Sequence, residues 1–156
     1  MKPCLFCQKE FQEDNIFENK SFYLKIDQFP VAPGHLLIIP KRHMPTFFEL
    51  TQAEFADLQI MILKAKEFCH GELVRQFYQK VVSQIQDNPK AANWCQWALD
   101  HWDKEITGYN IGVNNGETAG QTIFHLHIHL IPRFIGDVVD PTGGVRYVIP
   151  ERANYR

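Results

Sequence analysis

The chain has 156 residues, 45% of them hydrophobic and 22% charged, with a formal net charge of −2. That is the length of one domain able to bury a core, and the balanced charge gives no support to a broad nucleic-acid or anionic-membrane surface. No apolar run approaches the roughly 20 residues of a membrane span, and MKPCLFCQKEF lacks a signal-peptide hydrophobic stretch. The expected compartment is therefore the cytoplasm, where Cys4-Leu5-Phe6-Cys7 points to metal or redox chemistry rather than a structural disulfide.

In chain order, the first 45 residues read as strands. FENKSFYLKID predicts a hairpin turning near Asn19-Lys20, FPVAPG is a Pro/Gly break, and HLLIIPKRH is a short buried strand. Thr51 with Glu54 forms a capping-box signature, and Phe55, Leu58, Ile62, Ala65 and Cys69 give the following helix an apolar stripe that ends near Gly71. A second helical pattern runs through Leu73, Val74, Phe77, Tyr78, Val81, Val82 and Ile85. Asn88-Pro89 then reads as an N-cap and first-turn proline opening a third helix through Trp94, Trp97 and Ala98. Strand character returns at YNIGV, a loop (NNGETAGQ) follows, and the residues after Pro132 read as an irregular tail. Strands, helices and strands again, without βαβ alternation, predict an α+β fold with an antiparallel sheet.

The sharpest feature is HLHIHLIPR at 125–133, which holds three of the chain's seven histidines. On a strand His125, His127 and His129 share one face, about 7 Å apart, and Leu126, Ile128 and Leu130 share the other. An imidazole row of this kind suits metal binding or phosphate chemistry; the bland alternative is a polar strand face that happens to contain histidine. The small residues and amides of the preceding loop tilt the choice toward catalysis, since backbone N–H groups in such loops can cradle an anion. A neutral imidazole is an available nucleophile near neutral pH, and attack on an α-phosphate splits one displacement into two.

HLHIHLI matches the histidine triad pattern at every position, with AGQT upstream, PR downstream, and PGHLLIIPKRH after Asp27. The chain thus resembles the histidine triad (HIT) family over about residues 1–70 and 108–150, and DPTGGVRYVIP is similar to the tail of bacterial diadenosine tetraphosphate hydrolase-like members. The resemblance implies a single HIT domain over 1–156 with a five-stranded antiparallel sheet and a long helix. It also implies a homodimer that hydrolyses or transfers nucleoside monophosphates from dinucleoside polyphosphates or phosphoramidates. It makes His127 the nucleophile, with His129 and His125 completing the catalytic row. Asp27 is the expected ribose contact, although alone it could be a strand-end turn acid. Asn114, Gly120, Gln121, Thr122, Ile123 and His129 are the expected phosphate or leaving-group contacts; Asn114 alone could equally be a turn residue. His35 reads as a supporting or a merely packed histidine. Carried over from relatives, Cys4, Cys7, His43 and His125 would hold a structural Zn2+; a reduced, unligated pair is the alternative. No organic cofactor, nucleic acid or membrane partner is implied.

Residues about 71–107 have no counterpart in compact family members. They read as an inserted helical pair, either a packed layer or a dimerisation or substrate-covering element. Two readings from other classes stand beside the enzyme: a nucleotide-binding regulatory protein with incidental turnover, and a zinc-stabilised interaction module.

Overall fold

The computed structural model describes residues 4–155. Five strands form one antiparallel sheet in the order β1-β2-β3-β5-β4: β1 Phe17–Glu18, β2 Phe22–Ile26, β3 Leu36–Pro40, β4 Ile106–Val113 and β5 Ile128–Phe134. The short hairpin β1–β2 is closed by Asn19, whose side-chain oxygen accepts from the backbone N–H of Ser21 and Phe22. This is the local amide chemistry that favours Asn in turns. Gly34 precedes β3 with φ +83°, and a Cβ there would lie 2.2 Å from the Cys69 carbonyl oxygen, so only glycine fits this close approach.

Residue parity sorts the sheet into two faces. On one, Phe22, Leu24, Ile26, Leu36, Ile38, Ile128 and Leu130 pack against the helices with Met61, Ala65, Tyr78 and Cys95. On the other, Tyr23, Leu37 and Ile39 pack with Phe6, and Cys4, Phe11 and Ile123 border them. The second face carries the cleft described below.

The helices follow their sequence signals. α2, Gln52–Phe68, begins at a capping box in which Thr51 and Glu54 serve each other's backbone N–H. Two further helices follow it, α3 over Glu72–Ser83 and α4 over Pro89–Asp100, the latter capped by Asn88 accepting from Ala91 N–H at 3.1 Å. Trp102 is buried beside Tyr78, whereas Trp94 and Trp97 remain partly exposed.

Two expectations need correction. The first 45 residues are not all strands: Leu5–Cys7 is a 3-10 turn and α1 spans Lys9–Glu13. KEFQE lacks β-branched residues and suits a helical turn, and the Gln12 amide locks it by donating to Phe6 O at 2.9 Å. The histidine strand also starts later than its alternation implies, at Ile128. His125 and His127 lie in the extended approach, where Leu126 N–H bonds Met44 O rather than a sheet neighbour. Beyond β5 two 3-10 turns, Gly144–Val148 and Pro150–Arg152, shape the tail. No helix among the described residues is long and apolar enough to cross a membrane.

Candidate functional site

The approach to β5 separates the three histidines. His125 is fully buried and turned toward the N-terminal turn, while His127 and His129 line a cleft of about 700 Å³. The cleft is walled by Leu5, Phe6, Phe11, Asp27, Phe29 and Thr122, among others.

At His127, Nδ1 lies 2.9 Å from the His125 carbonyl oxygen. A carbonyl only accepts, so Nδ1 carries the proton and Nε2 keeps its lone pair. The Phe6 ring packs edge-on to both His127 and His125, with centroids 5.4 and 5.7 Å away, and fixes the approach segment.

At His129 the tautomer follows from a relay. Val31 N–H donates to His35 Nδ1 at 3.4 Å, which places the His35 proton on Nε2. That nitrogen is 2.9 Å from His129 Nδ1, so His129 accepts there and carries its own proton on Nε2. Asp27 Oδ2 approaches His35 Nδ1 to 3.4 Å from the side. Burial, helped by His35 and His127, lowers the His129 pKa to about 4. Burial also lowers His35, against the opposing pull of Asp27. Both rings are therefore neutral donors and acceptors near neutral pH.

His129 in the unfolded chain titrates near 6.5, so its neutral folded form contributes full stability above that pH and loses it as pH falls toward about 4. Denaturant midpoints measured from pH 7 to pH 4 should fall more steeply for the wild type than for His129→Asn. Parallel curves would contradict the shift.

The loop before β5 divides its residues between bracing and display. Gln121 is buried: its amide donates to Pro45 O (2.8 Å) and Ile123 O (3.2 Å), and its Oε1 accepts from Gly116 N–H (2.7 Å). Its backbone N–H is likewise used, on Gly116 O. Gly120 ends a 3-10 turn in the left-handed region with φ +85°, beside the Asn114 amide. Gly120 and Gln121 thus brace the loop, with the Asn114 amide beside Gly120, whereas Thr122 and Ile123 line the cleft. Asp27 also lines it, shaped by an Asx turn in which Oδ1 accepts from Phe29 N–H at 2.8 Å.

Cys4, Cys7, His43 and His125 converge, with one ligand atom from each lying within 4.8 Å of the others. Cys4 Sγ–His125 Nδ1 is 3.5 Å, and Cys7 Sγ is 3.4 Å from both His43 Nδ1 and His125 Nδ1. A tetrahedral ion with ordinary zinc–sulfur and zinc–nitrogen bonds needs S···N edges of about 3.6 Å. His125 Nε2 lies 2.8 Å from Pro40 O, which holds its proton there and turns the Nδ1 lone pair toward the thiols. The donor set fits a divalent metal.

Several wall residues carried no legible signal. Phe6 sits unmarked between the two cysteines, and Phe77 comes to the cleft from α3, far away in sequence. Phe29 is backed edge-on by Trp94 of α4, centroids 6.1 Å apart. Only the fold brings these rings to the site.

The HIT domain profile matches residues 8–136. A HIT-like protein of Chlamydia pneumoniae is 34% identical over 118 residues, 76% of this chain and 79% of the relative. An asymmetrical bis(5'-nucleosyl)-tetraphosphatase of Schizosaccharomyces pombe is 33% identical over 104 residues, 67% of this chain but 40% of that protein. Among solved structures, a histidine triad nucleotide-binding protein from Candida albicans matches with a TM-score of 0.53 and 27% identity, covering 84% of this chain and 75% of that one.

Proposed function

Since the chain belongs to the HIT domain family, we propose that it is a nucleotidyl hydrolase or transferase that cleaves at the α-phosphate of dinucleoside polyphosphates or nucleoside phosphoramidates. The observation that carries this is the 2.9 Å contact from His127 Nδ1 to the His125 carbonyl, which leaves the Nε2 lone pair free on a residue lining the cleft. His127 Nε2 attacks the α-phosphorus; an N–P bond forms and the bond to the leaving group breaks. A polyphosphate leaves as the anion, whereas an amine leaving group takes up a proton from solvent; water then attacks the adduct, the N–P bond breaks to restore the neutral His127, the water's proton passes to solvent, and a nucleoside monophosphate departs. The His129 Nε2–H hydrogen-bonds a non-bridging oxygen as charge gathers there, acting as a neutral donor rather than a cation. Thr122 and Ile123 line the same cleft and assist with their backbone N–H groups, Asn114 offers its amide to the phosphate, and Gly120 and Gln121 hold that loop in shape. Asp27 accepts from the ribose hydroxyls.

In the same reading Cys4, Cys7, His43 and His125 hold Zn2+, which with four protein ligands is closed and structural. The metal fixes the segment whose His125 carbonyl orients His127, and it does not meet substrate. The chain is taken as a cytoplasmic homodimer, for which the edge strand β4, with Ile111 exposed, offers a surface.

A panel of adenosine and guanosine polyphosphates and phosphoramidates, scored by released monophosphate, tests the function. Multiple turnovers with release of a nucleoside monophosphate are expected. Tight binding without product would replace the enzyme with a nucleotide sensor.

A further inference from the structure

Lys25 is a buried cation on the sheet face that carries the histidines, with apolar side chains as its immediate strand neighbours. It is 7% exposed, and its neighbours on that face are Tyr23, Leu37 and Ile39. It pairs with Leu37 of β3, which pairs in turn with His129 of β5, so the three form one row across the sheet. Two interstrand spacings put the backbones of Lys25 and His129 roughly 10 Å apart. Asp27 follows two residues after Lys25, beside it along the chain. The Lys25 ammonium donates to the Asp14 backbone carbonyl and, at 2.6 Å, to the Asp14 carboxylate; it also stands 4.5 Å from the centre of the Phe11 ring. Asp14, Lys25, Ile26 and Phe77 line both the histidine cleft and an adjoining hollow of about 340 Å³.

Packing alone does not call for this pair. A lysine stem in an apolar wall brings a charge whose desolvation an aliphatic residue would avoid. Two of its three ammonium protons meet Asp14, which leaves one donor for a ligand. The Asp14 side chain is 80% exposed and retains acceptor capacity beside that donor.

We propose that the Asp14–Lys25 pair reads the nucleobase and selects guanine over adenine in the transferred nucleotidyl group, an inference that rests on the nucleotide-binding reading above. Guanine presents on one edge the O6 acceptor followed by the N1–H and N2–H donors. The ammonium meets O6 while the carboxylate receives both N–H groups as a bidentate acceptor. Adenine reverses the order, setting its amino group against the ammonium and the bare N1 against the carboxylate. A site built for donors leaves its own polar groups unpaired when they are missing, and so rejects the wrong base. The Phe11 and Phe77 rings supply apolar wall for the flat base.

Calorimetric titration of the intact protein with GMP, IMP and AMP tests this. GMP should bind at least about tenfold tighter than AMP. IMP, which keeps O6 and N1–H but lacks the 2-amino group, should fall between them. Lys25→Met and Asp14→Asn should each bring GMP within about twofold of AMP, by weakening GMP while AMP binds as well as before or better once its mismatched partner is gone. Because the Asp14 carboxylate is mostly exposed, Asp14→Asn keeps the test open should Lys25→Met fail to fold. Equal GMP and AMP affinities in the wild type, or a parallel loss of both in Asp14→Asn, would overturn base reading and leave nucleotide binding standing. Absence of binding by all three would overturn both.

Discussion

His127→Ala is expected to lower kcat by four orders of magnitude or more, about 5.5 kcal/mol of transition-state stabilisation, with nucleotide affinity within a few-fold of wild type. The effect is large because the substitution removes the attacking atom, and no other described group is placed to take over. His129 lines the same cleft, but its Nδ1 accepts from His35 and its Nε2 carries the proton, so it offers no lone pair. His125 is buried with both ring nitrogens engaged, one at Pro40 O and the other among the cysteines. Binding should survive because the ribose, base and phosphate contacts proposed here come from other residues. Stereochemistry supplies an independent reading. Two successive in-line displacements retain configuration at a chiral α-phosphorothioate, whereas direct attack by water inverts it. Inversion, or a His127→Ala variant near the wild-type rate, would rule out the covalent route.

What could be read from the sequence is what depends on local periodicity or local capping. The β1–β2 hairpin, the capping box at Thr51, the Asn88-Pro89 start of α4 and the apolar alternation of Leu126, Ile128 and Leu130 each announce themselves within a few residues. The five-stranded antiparallel sheet came from resemblance and its strand order from the structure alone, because nothing local says that β5 inserts between β3 and β4. Alternation gave the shared face of the three histidines opposite Leu126, Ile128 and Leu130, but not the strand's extent or the division of that face: the strand begins at Ile128, and His125 meets the cysteines while His127 and His129 line the cleft. Gln121 illustrates another limit. Its backbone N–H is the expected contact, whereas its side chain makes three hydrogen bonds that brace the loop, a use visible only once Pro45 and Gly116 are brought beside it. Phe77 and the Lys25–Asp14 pair were illegible for the same reason: their meaning depends on which distant element forms the opposite wall.

Removing the metal proposed at Cys4, Cys7, His43 and His125 should destabilise the protein by at least about 3 kcal/mol, lowering Tm by roughly 6–12 °C for a domain of this size. The loss should fall well below the roughly 10–16 kcal/mol of apparent zinc affinity in zinc-finger peptides, because this chain has a separate apolar core over α2, α3 and α4. Besides the metal, the N-terminal segment is held on the sheet by Phe6, which packs on Tyr23 and Ile39 and accepts from Tyr23 OH at 2.9 Å, and by the Asp14–Lys25 pair. Activity should fall as well, although the metal touches no substrate, because the carbonyl that orients His127 belongs to the ligand His125. Elemental analysis of gently purified protein should find about one zinc per chain, and Cys7→Ser should reproduce the losses of both stability and rate. Cobalt in place of zinc should show the absorption of a tetrahedral thiolate–imidazole site and restore Tm and turnover together, as expected of a structural ion. Well under one zinc per chain in active protein would remove the metal from the account, and the cysteines would then serve as reduced thiols packed against His125.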